Sequence, residues 1–249
     1  FMSFKKEIID LLNRFEDLFM TSHSCMSCGK EIEDGTKFNL CENCLNSLDK
    51  IEGRLCKKCG EEIVGENVRV CDYCKERDYK FNSNHSCFYY NAVSASIIKN
   101  FKYNGRKYYA KSIAEIMAQR SEFFEDIDVI TFVPINKKRR RERGFNQSEE
   151  IAKHLSKMLN IPLVTILEKE KDGKHQAALG QKDRLKNLKG SFKIIAENVN
   201  KVRGKRVLIV DDVFTTGATL NECARVIRVC RPISINTVTF AKTKFNSAN

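Results

Sequence analysis

Four Cys-x-x-Cys pairs crowd the first third of the chain, at Cys25/Cys28, Cys41/Cys44, Cys56/Cys59 and Cys71/Cys74. Twelve residues separate the first two pairs and eleven the last two. Tetrahedral zinc takes four converging soft ligands, and a CxxC turn delivers two thiolates at once. The spacing therefore predicts two sequential four-cysteine zinc ribbons. Eleven residues also separate the two modules, so a cross-braced pairing of the first and third knuckles stays open. Gly29 and Gly60 follow the second cysteine of their pairs, where a knuckle turn calls for positive φ. Disulfides fit this pattern less well. Glu7, Asp10, Glu16 and Asp17 break up the N-terminal apolar residues, so we expect no signal peptide and a cytoplasmic, reducing setting. Each structural zinc would supply roughly 10–16 kcal/mol of apparent binding free energy. Few large apolar residues surround the cysteines, so metal is expected to take the place of a core there. Cys87, Cys223 and Cys230 fall outside the pattern; Leu220 and Ile227 share a helical face with the last two, which predicts packing.

Charge divides the chain at the same place. Residues 1–84 hold 13 Lys/Arg against 16 Asp/Glu, a net of −3; residues 85–249 hold 31 against 16, a net of +15. The polar stretch Phe81–Asn84 reads as a linker at that boundary. With 42% hydrophobic and 31% charged residues the chain is not wholesale disordered. No apolar run approaches the ~18 residues of a membrane span. The basic balance of the larger part points to a polyphosphate, a nucleic acid or an anionic surface as partner.

Apolar residues at Phe4, Ile8, Leu11, Leu12, Phe15, Leu18 and Phe19 predict an amphipathic helix within residues 1–22. A zinc module is expected over 23–80 and an α/β domain over 85–249. In the latter, predicted strands at 86–91, 127–133, 163–167, 191–195, 206–210 and 234–240 alternate with predicted helices at 92–101, 106–120, 146–159 and 219–230. That alternation predicts a mostly parallel sheet flanked by helices. Asn146 with Glu149 three residues on resembles a capping box, and residues 169–188 read as a long polar loop.

Residues 207–219 read VLIVDDVFTTGAT. Four apolar residues make a buried strand. Asp211 and Asp212 stand at its carboxyl end, where open α/β sheets bind ligands. Thr215, Thr216, Gly217, Ala218 and Thr219 then form a small-residue loop that opens a helix. Backbone amides and hydroxyls there suit a phosphate monoester. The carboxylates suit the hydroxyls of a sugar. No Gly-Lys-Ser/Thr follows, so this is not a Walker A loop.

Asp211–Thr219 resembles the motif of type I phosphoribosyltransferases that binds 5-phosphoribosyl 1-diphosphate (PRPP). The resemblance implies that Asp211 and Asp212 contact ribose, that Thr215–Thr219 hold the 5-phosphate, and that Mg2+ bridges ribose and diphosphate. Further segments narrow the match: Val133-Pro134, Arg139 and Arg143-Gly-Phe-Asn-Gln147; Phe101-Lys-Tyr-Asn-Gly-Arg106; and Gln176, Leu179, Arg184 and Asn187. Together with the CxxC pairs they resemble the ComF family of competence-associated proteins, whose layout is a double zinc ribbon ahead of a phosphoribosyltransferase-like domain. The resemblance implies a pyrophosphate loop around Ile135 and Asn136, with Arg139 and Arg143 near it. It also implies a flexible closing loop carrying Gln176, Arg184 and Asn187. It implies handling of single-stranded DNA during natural transformation, with a competence helicase or DNA-processing protein as a partner. An active salvage-type transferase acting on a base or amine is the alternative; no general base stands out.

Residues 137–143 carry six cations in seven positions. A solvated face, a diphosphate contact and a nucleic-acid backbone contact all fit this run. Phe88, Tyr89, Tyr90, Phe101, Tyr103, Tyr108 and Tyr109 lie among Lys99, Lys102, Arg106 and Lys107. Such interleaving suits stacked single-stranded bases, although core packing accounts for each ring taken singly.

Overall fold

A computed structural model of the chain describes residues 24–33, 35–65, 67–103, 106–170 and 190–245. The helix expected within residues 1–22 lies outside them. In the N-terminal part the cysteines gather in two sets, Cys25/Cys28/Cys41/Cys44 and Cys56/Cys59/Cys71/Cys74. Within each set the thiols lie within 4.8 Å of one another. The pairing is sequential rather than cross-braced. Gly29 (φ 75°) and Gly60 (φ 68°) close the first knuckle of each set, as the turn requires. The second knuckle of each set opens a short helix, α1 (Glu42–Asn46) or α2 (Asp72–Lys75). Four thiolates of this kind are a structural zinc donor set, and both clusters fit it.

Four parallel strands form the central sheet, in the order β1 (Ser83–Tyr89), β6 (Ser234–Lys242), β5 (Arg206–Phe214), β2 (Val129–Phe132). A separate antiparallel pair joins β3 (Leu167–Lys169) to β4 (Phe192–Ile194). The central strand β5 pairs Val207 with Val129 on one side and Ile235 on the other. A parallel strand covered on both faces reads as a continuous apolar run, and Val207–Val210 are all fully buried. Leu208 and Val210 face one core, with α3 (Ala92–Tyr103), α4 (Tyr109–Ala118) and, beyond the basic helix α5 (Lys137–Arg143), α6 (Gln147–Leu159). Val207 and Ile209 face the other, with the short α7 (Val199–Val202) and α8 (Ala218–Ile227). Cys87, Cys223 and Cys230 are buried packing residues.

The zinc ribbons do not stand apart from this core. Cys25, Met26, Leu40 and Leu48 of the first ribbon belong to the core under α3 and α4. Cys56, Cys59 and Cys74 of the second belong to the core under α8. Between them, Asp49–Ile51 runs antiparallel along β1: Tyr89 N–H donates to Asp49 C=O (2.7 Å) and Ile51 N–H to Cys87 C=O (3.3 Å). The ribbons thus straddle the edge strand, and their connection pairs with its exposed backbone. The expectation that metal replaces a core here is corrected: each ribbon extends one of the sheet's two cores.

Beside this apolar contact, the second ribbon meets the sheet through polar groups. Asn84, Ser86, Thr237 and Thr239 are buried. Asn84 Nδ2 donates to Cys59 C=O (3.2 Å), Thr237 Oγ1 donates to Asn84 Oδ1 (2.8 Å), and Ser86 and Thr239 share a hydroxyl bond (2.7 Å). The fit is close, since a Cβ on Gly60 would stand 2.7 Å from the Asn84 carbonyl oxygen. At the end of β6, Lys242 is fully buried and ion-paired with Glu61. Glu61 also accepts from Tyr89 Oη (3.1 Å) and Phe245 N–H (3.2 Å).

Several expectations change in detail. Phe81–Asn84 is not a linker. Phe81 is fully buried against Tyr79 (ring centroids 4.7 Å), while Ser83 and Asn84 already pair with Asn236 and Thr237. Strand β5 continues through Asp211 and Asp212 to Phe214. Asn146 precedes α6 without capping it, because its side chain donates to Val133 C=O (3.0 Å). Glu149, the other half of the expected box, pairs with Arg140 (3.2 Å) and Lys153 (2.9 Å). Leu163 makes one parallel bridge to Ile130, and the strand expected there starts only at Leu167.

Replacing Glu61 with Ala would leave the Lys242 ammonium buried and unpaired, at a cost of about 3–5 kcal/mol. Urea unfolding of the zinc-loaded protein should show this loss. The double change Glu61→Ala, Lys242→Met should lose less than Glu61→Ala alone, and simple addition of the two single effects would refute the pairing.

Candidate functional site

All four strands of the main sheet run the same way, so their carboxyl ends share one rim. Asp211 and Asp212 reach that rim on β5, half-buried. The chain then turns through Thr215 and Thr216 into α8. Gly217 makes the turn at φ 75° and precedes the first residue of the helix. A Cβ there would lie 2.5 Å from Phe214 Cζ and 2.9 Å from Tyr79 Cε1, so the position demands glycine on both conformational and steric grounds. Tyr79, which follows the second ribbon, donates its hydroxyl to Thr216 C=O (2.7 Å). Thr216 Oγ1 accepts from Ala218 N–H (3.4 Å). Thr215 is exposed, and Thr219 is partly exposed at the head of the helix.

The two carboxylates have unlike partners. Asp211 accepts from Ser148 Oγ (2.7 Å) and from the Asp212 N–H (3.0 Å). Burial, and then the charge of Asp212, push the Asp211 carboxyl up to about 7, against the hydrogen bonds that favour its ionised form. Asp212 instead meets a cation: Lys102 Nζ on α3 lies 2.6 Å from its Oδ2. Burial disfavours the Lys102 ammonium, but Asp212 and the nearby Asp211 outweigh it and raise its pKa. Sequence reasoning assigned no role to Ser148 and placed Lys102 only among the cations interleaved with aromatics. Ser148 directly follows RGFNQ, and Lys102 lies within FKYNGR, both singled out for other reasons.

Ile135 and Asn136 follow β2 to the same rim. The Asn136 side chain is committed to capping α5, accepting from Arg139 N–H (2.7 Å). The basic run is thus a helix, with Lys137–Arg141 exposed and Arg143 half-buried. Arg143 donates to Gln147 Oε1 (3.0 Å) and lies near enough to Lys102 to oppose its charge. Asn146 Oδ1 and Gln147 Nε2, just before Ser148 in the chain, are buried with no hydrogen-bond partner among the described residues. Gln176, Arg184 and Asn187 lie outside the described residues. The ends of their segment are joined by β3 and β4 and by a bond from Glu170 N–H to Ser191 C=O (3.0 Å). Most of the aromatics interleaved with cations are core: Phe88, Tyr89, Phe101 and Tyr109 are buried, whereas Tyr90 is 47% exposed.

The Asp211 carboxyl titrates near ~3.9 in an unfolded chain and near 7 when folded. Folding therefore takes up a proton in this window, and the stability that Asp211 contributes falls as pH rises from about 4 to 7. Asn at position 211 removes the effect. The stability of wild type minus that of Asp211→Asn should decline across that window in urea unfolding, and a flat difference would contradict the environment described here.

Among the described residues no helix is long and apolar enough to cross a membrane. The chain matches the phosphoribosyl transferase domain family over residues 107–245 and the double zinc ribbon domain family over residues 16–75. It is 28% identical to competence protein F of Haemophilus influenzae, over 82% of this chain and 90% of that one. It is 29% identical to competence protein ComFC of Bacillus subtilis, over 76% and 77% of the two chains. It is 25% identical to the DNA utilization protein YhgH of Escherichia coli, over 82% and 89%. With a phosphoribosyl transferase domain set behind two four-thiolate ribbons, the chain belongs to the ComF family.

Proposed function

We propose that this protein binds PRPP together with Mg2+ at the Asp211–Thr219 site and acts in DNA uptake, in contact with single-stranded DNA. The observation that carries the reading is the Asp211–Asp212 pair at the carboxyl end of β5, directly before the glycine turn into α8. The carboxylates offer acceptors for the ribose hydroxyls. The amides and hydroxyls of Thr215–Thr219 offer donors for the 5-phosphate. The backbone at Ile135 and Asn136, with Arg139 and Arg143, supplies donors and charge on the diphosphate side, and the unpartnered Gln147 Nε2 adds a buried donor nearby. Mg2+ would offset diphosphate charge beside the two carboxylates. The competence and DNA utilization names of the relatives support the DNA role. So does the exposed basic helix α5. A cytoplasmic location and a helicase or DNA-processing partner follow from the same reading.

A second reading is transfer of the phosphoribosyl group to a base or amine. The match to the phosphoribosyl transferase domain family over residues 107–245 favours it. The chemistry would depend on positioning and charge stabilisation rather than on a general base.

Calorimetric titration of zinc-loaded protein with PRPP and Mg2+ should show binding, and Asp211→Asn with Asp212→Asn should abolish it while the chain stays folded. Absence of binding at millimolar PRPP would overturn the reading. Pyrophosphate release on adding a nucleobase panel would favour the second. Single-strand DNA binding should weaken with salt. Changing Lys137, Arg140 and Arg141 to Gln should lower the log–log salt slope by about 2, since each lost phosphate contact removes ~0.7.

A further inference from the structure

Helix α3 carries a groove of about 520 Å³ whose lining includes Tyr90, Ala92, Ala95, Ser96, Lys99 and Lys102. The helical positions recur at three- and four-residue steps, so they form one stripe. From Ala92 to Lys102 the stripe rises about 15 Å, at 1.5 Å per residue. At one end stands Tyr90, the exposed exception among neighbouring buried rings. Along the groove stands Lys99, exposed and without an ion-pair partner among the described residues. At the other end stands Lys102, whose Nζ touches Asp212 Oδ2 at 2.6 Å. No lining residue is acidic, and the small side chains of Ala92, Ala95 and Ser96 keep the floor low.

An aromatic face, two ammonium groups and a small-residue floor suit one ligand chemistry, the nucleotide: a base stacks on the ring and phosphates meet the cations. The length of the stripe favours a strand over a mononucleotide. We propose that the α3 groove binds a nucleotide strand and that Lys102 couples this groove to the Asp211–Asp212 site. An ammonium carries three donors and holds its place by charge. A strand phosphate at the groove end competes with Asp212 for Lys102. When Lys102 turns to the phosphate, two adjacent carboxylates lose their cation. They then favour a divalent metal and ribose hydroxyls more strongly. Strand binding therefore tightens PRPP binding, and by linkage PRPP tightens strand binding by the same factor. The coupling rests on the PRPP reading above; the groove itself does not.

The test is calorimetry on the zinc-loaded full chain, with PRPP and Mg2+ titrated in the presence and absence of a short oligothymidylate. The oligonucleotide should tighten PRPP binding about tenfold, within the usual range of coupling between sites. Lys102→Met should tighten PRPP binding in the absence of the oligonucleotide, weaken oligothymidylate binding and reduce that factor to below about twofold, and Lys102→Arg should restore part of it. Tyr90→Ala and Lys99→Ala should each weaken oligothymidylate binding. Coupling undiminished in Lys102→Met, or oligothymidylate binding unmoved by both Tyr90→Ala and Lys99→Ala, would overturn the proposal. Thymidine monophosphate binding as tightly as the oligonucleotide would overturn the assignment of a strand to the groove. If PRPP fails to bind at all, the function proposed above falls, and the Tyr90 and Lys99 variants still decide the groove.

Discussion

Lys242 ends β6 with an ammonium that water does not reach, and Glu61 of the second zinc ribbon neutralises it. Taking two charges out of water costs several kcal/mol per ion, so such a pair is tolerated only where the remaining lone pairs are filled. Tyr89 and the Phe245 amide fill them. The arrangement has one geometry, because each partner is fixed from a different part of the chain. It seats the second ribbon on the sheet, and the seat delivers Tyr79 to the back of the Thr215–Gly217 turn. A metal-bound module with no share in the candidate chemistry thereby shapes the loop next to it.

The two carboxylates of that site divide their roles through their neighbours. Asp211 faces a neutral hydroxyl and is pushed toward its protonated form, whereas Asp212 faces an ammonium and holds a charge partner. Adjacent carboxylates at one strand end repel each other. The sheet tolerates them because α6 brings a serine to one and α3 brings a lysine to the other. The site is consequently built from three elements, β5, α6 and α3, although one of them supplies the recognisable motif.

Periodicity and spacing made the ribbons, the parallel sheet and the Asp211–Thr219 loop legible, because each follows from residues close in sequence. Zinc ligands come in CxxC turns, a buried strand shows as VLIV, and a glycine turn shows as TTGAT. What stayed hidden depends on distant partners. Ser148 looked like any residue in the first turn of a helix. Lys102 looked like one more cation among aromatics. Phe81–Asn84 looked polar and therefore loose, yet Asn84 is polar because Cys59 and Thr237 supply its partners. The capping box at Asn146 failed for the same reason: the Val133 carbonyl just past β2 holds the Asn146 amide, and Arg140 and Lys153 hold Glu149.

The separation of Glu61 from Lys242 is 181 residues. During synthesis at 5–20 residues per second, Glu61 leaves the ribosome about 10–40 s before its partner exists. The second ribbon has time to gather its metal, but its seat on the sheet is made only when β6 enters between β1 and β5. For that interval the ribbon face with Glu61 and the edges of β1 and β5 are both uncovered. Until β6 has entered, a nascent chain is therefore open to wrong pairing, and the residues of that strand commit both the sheet and the ribbon.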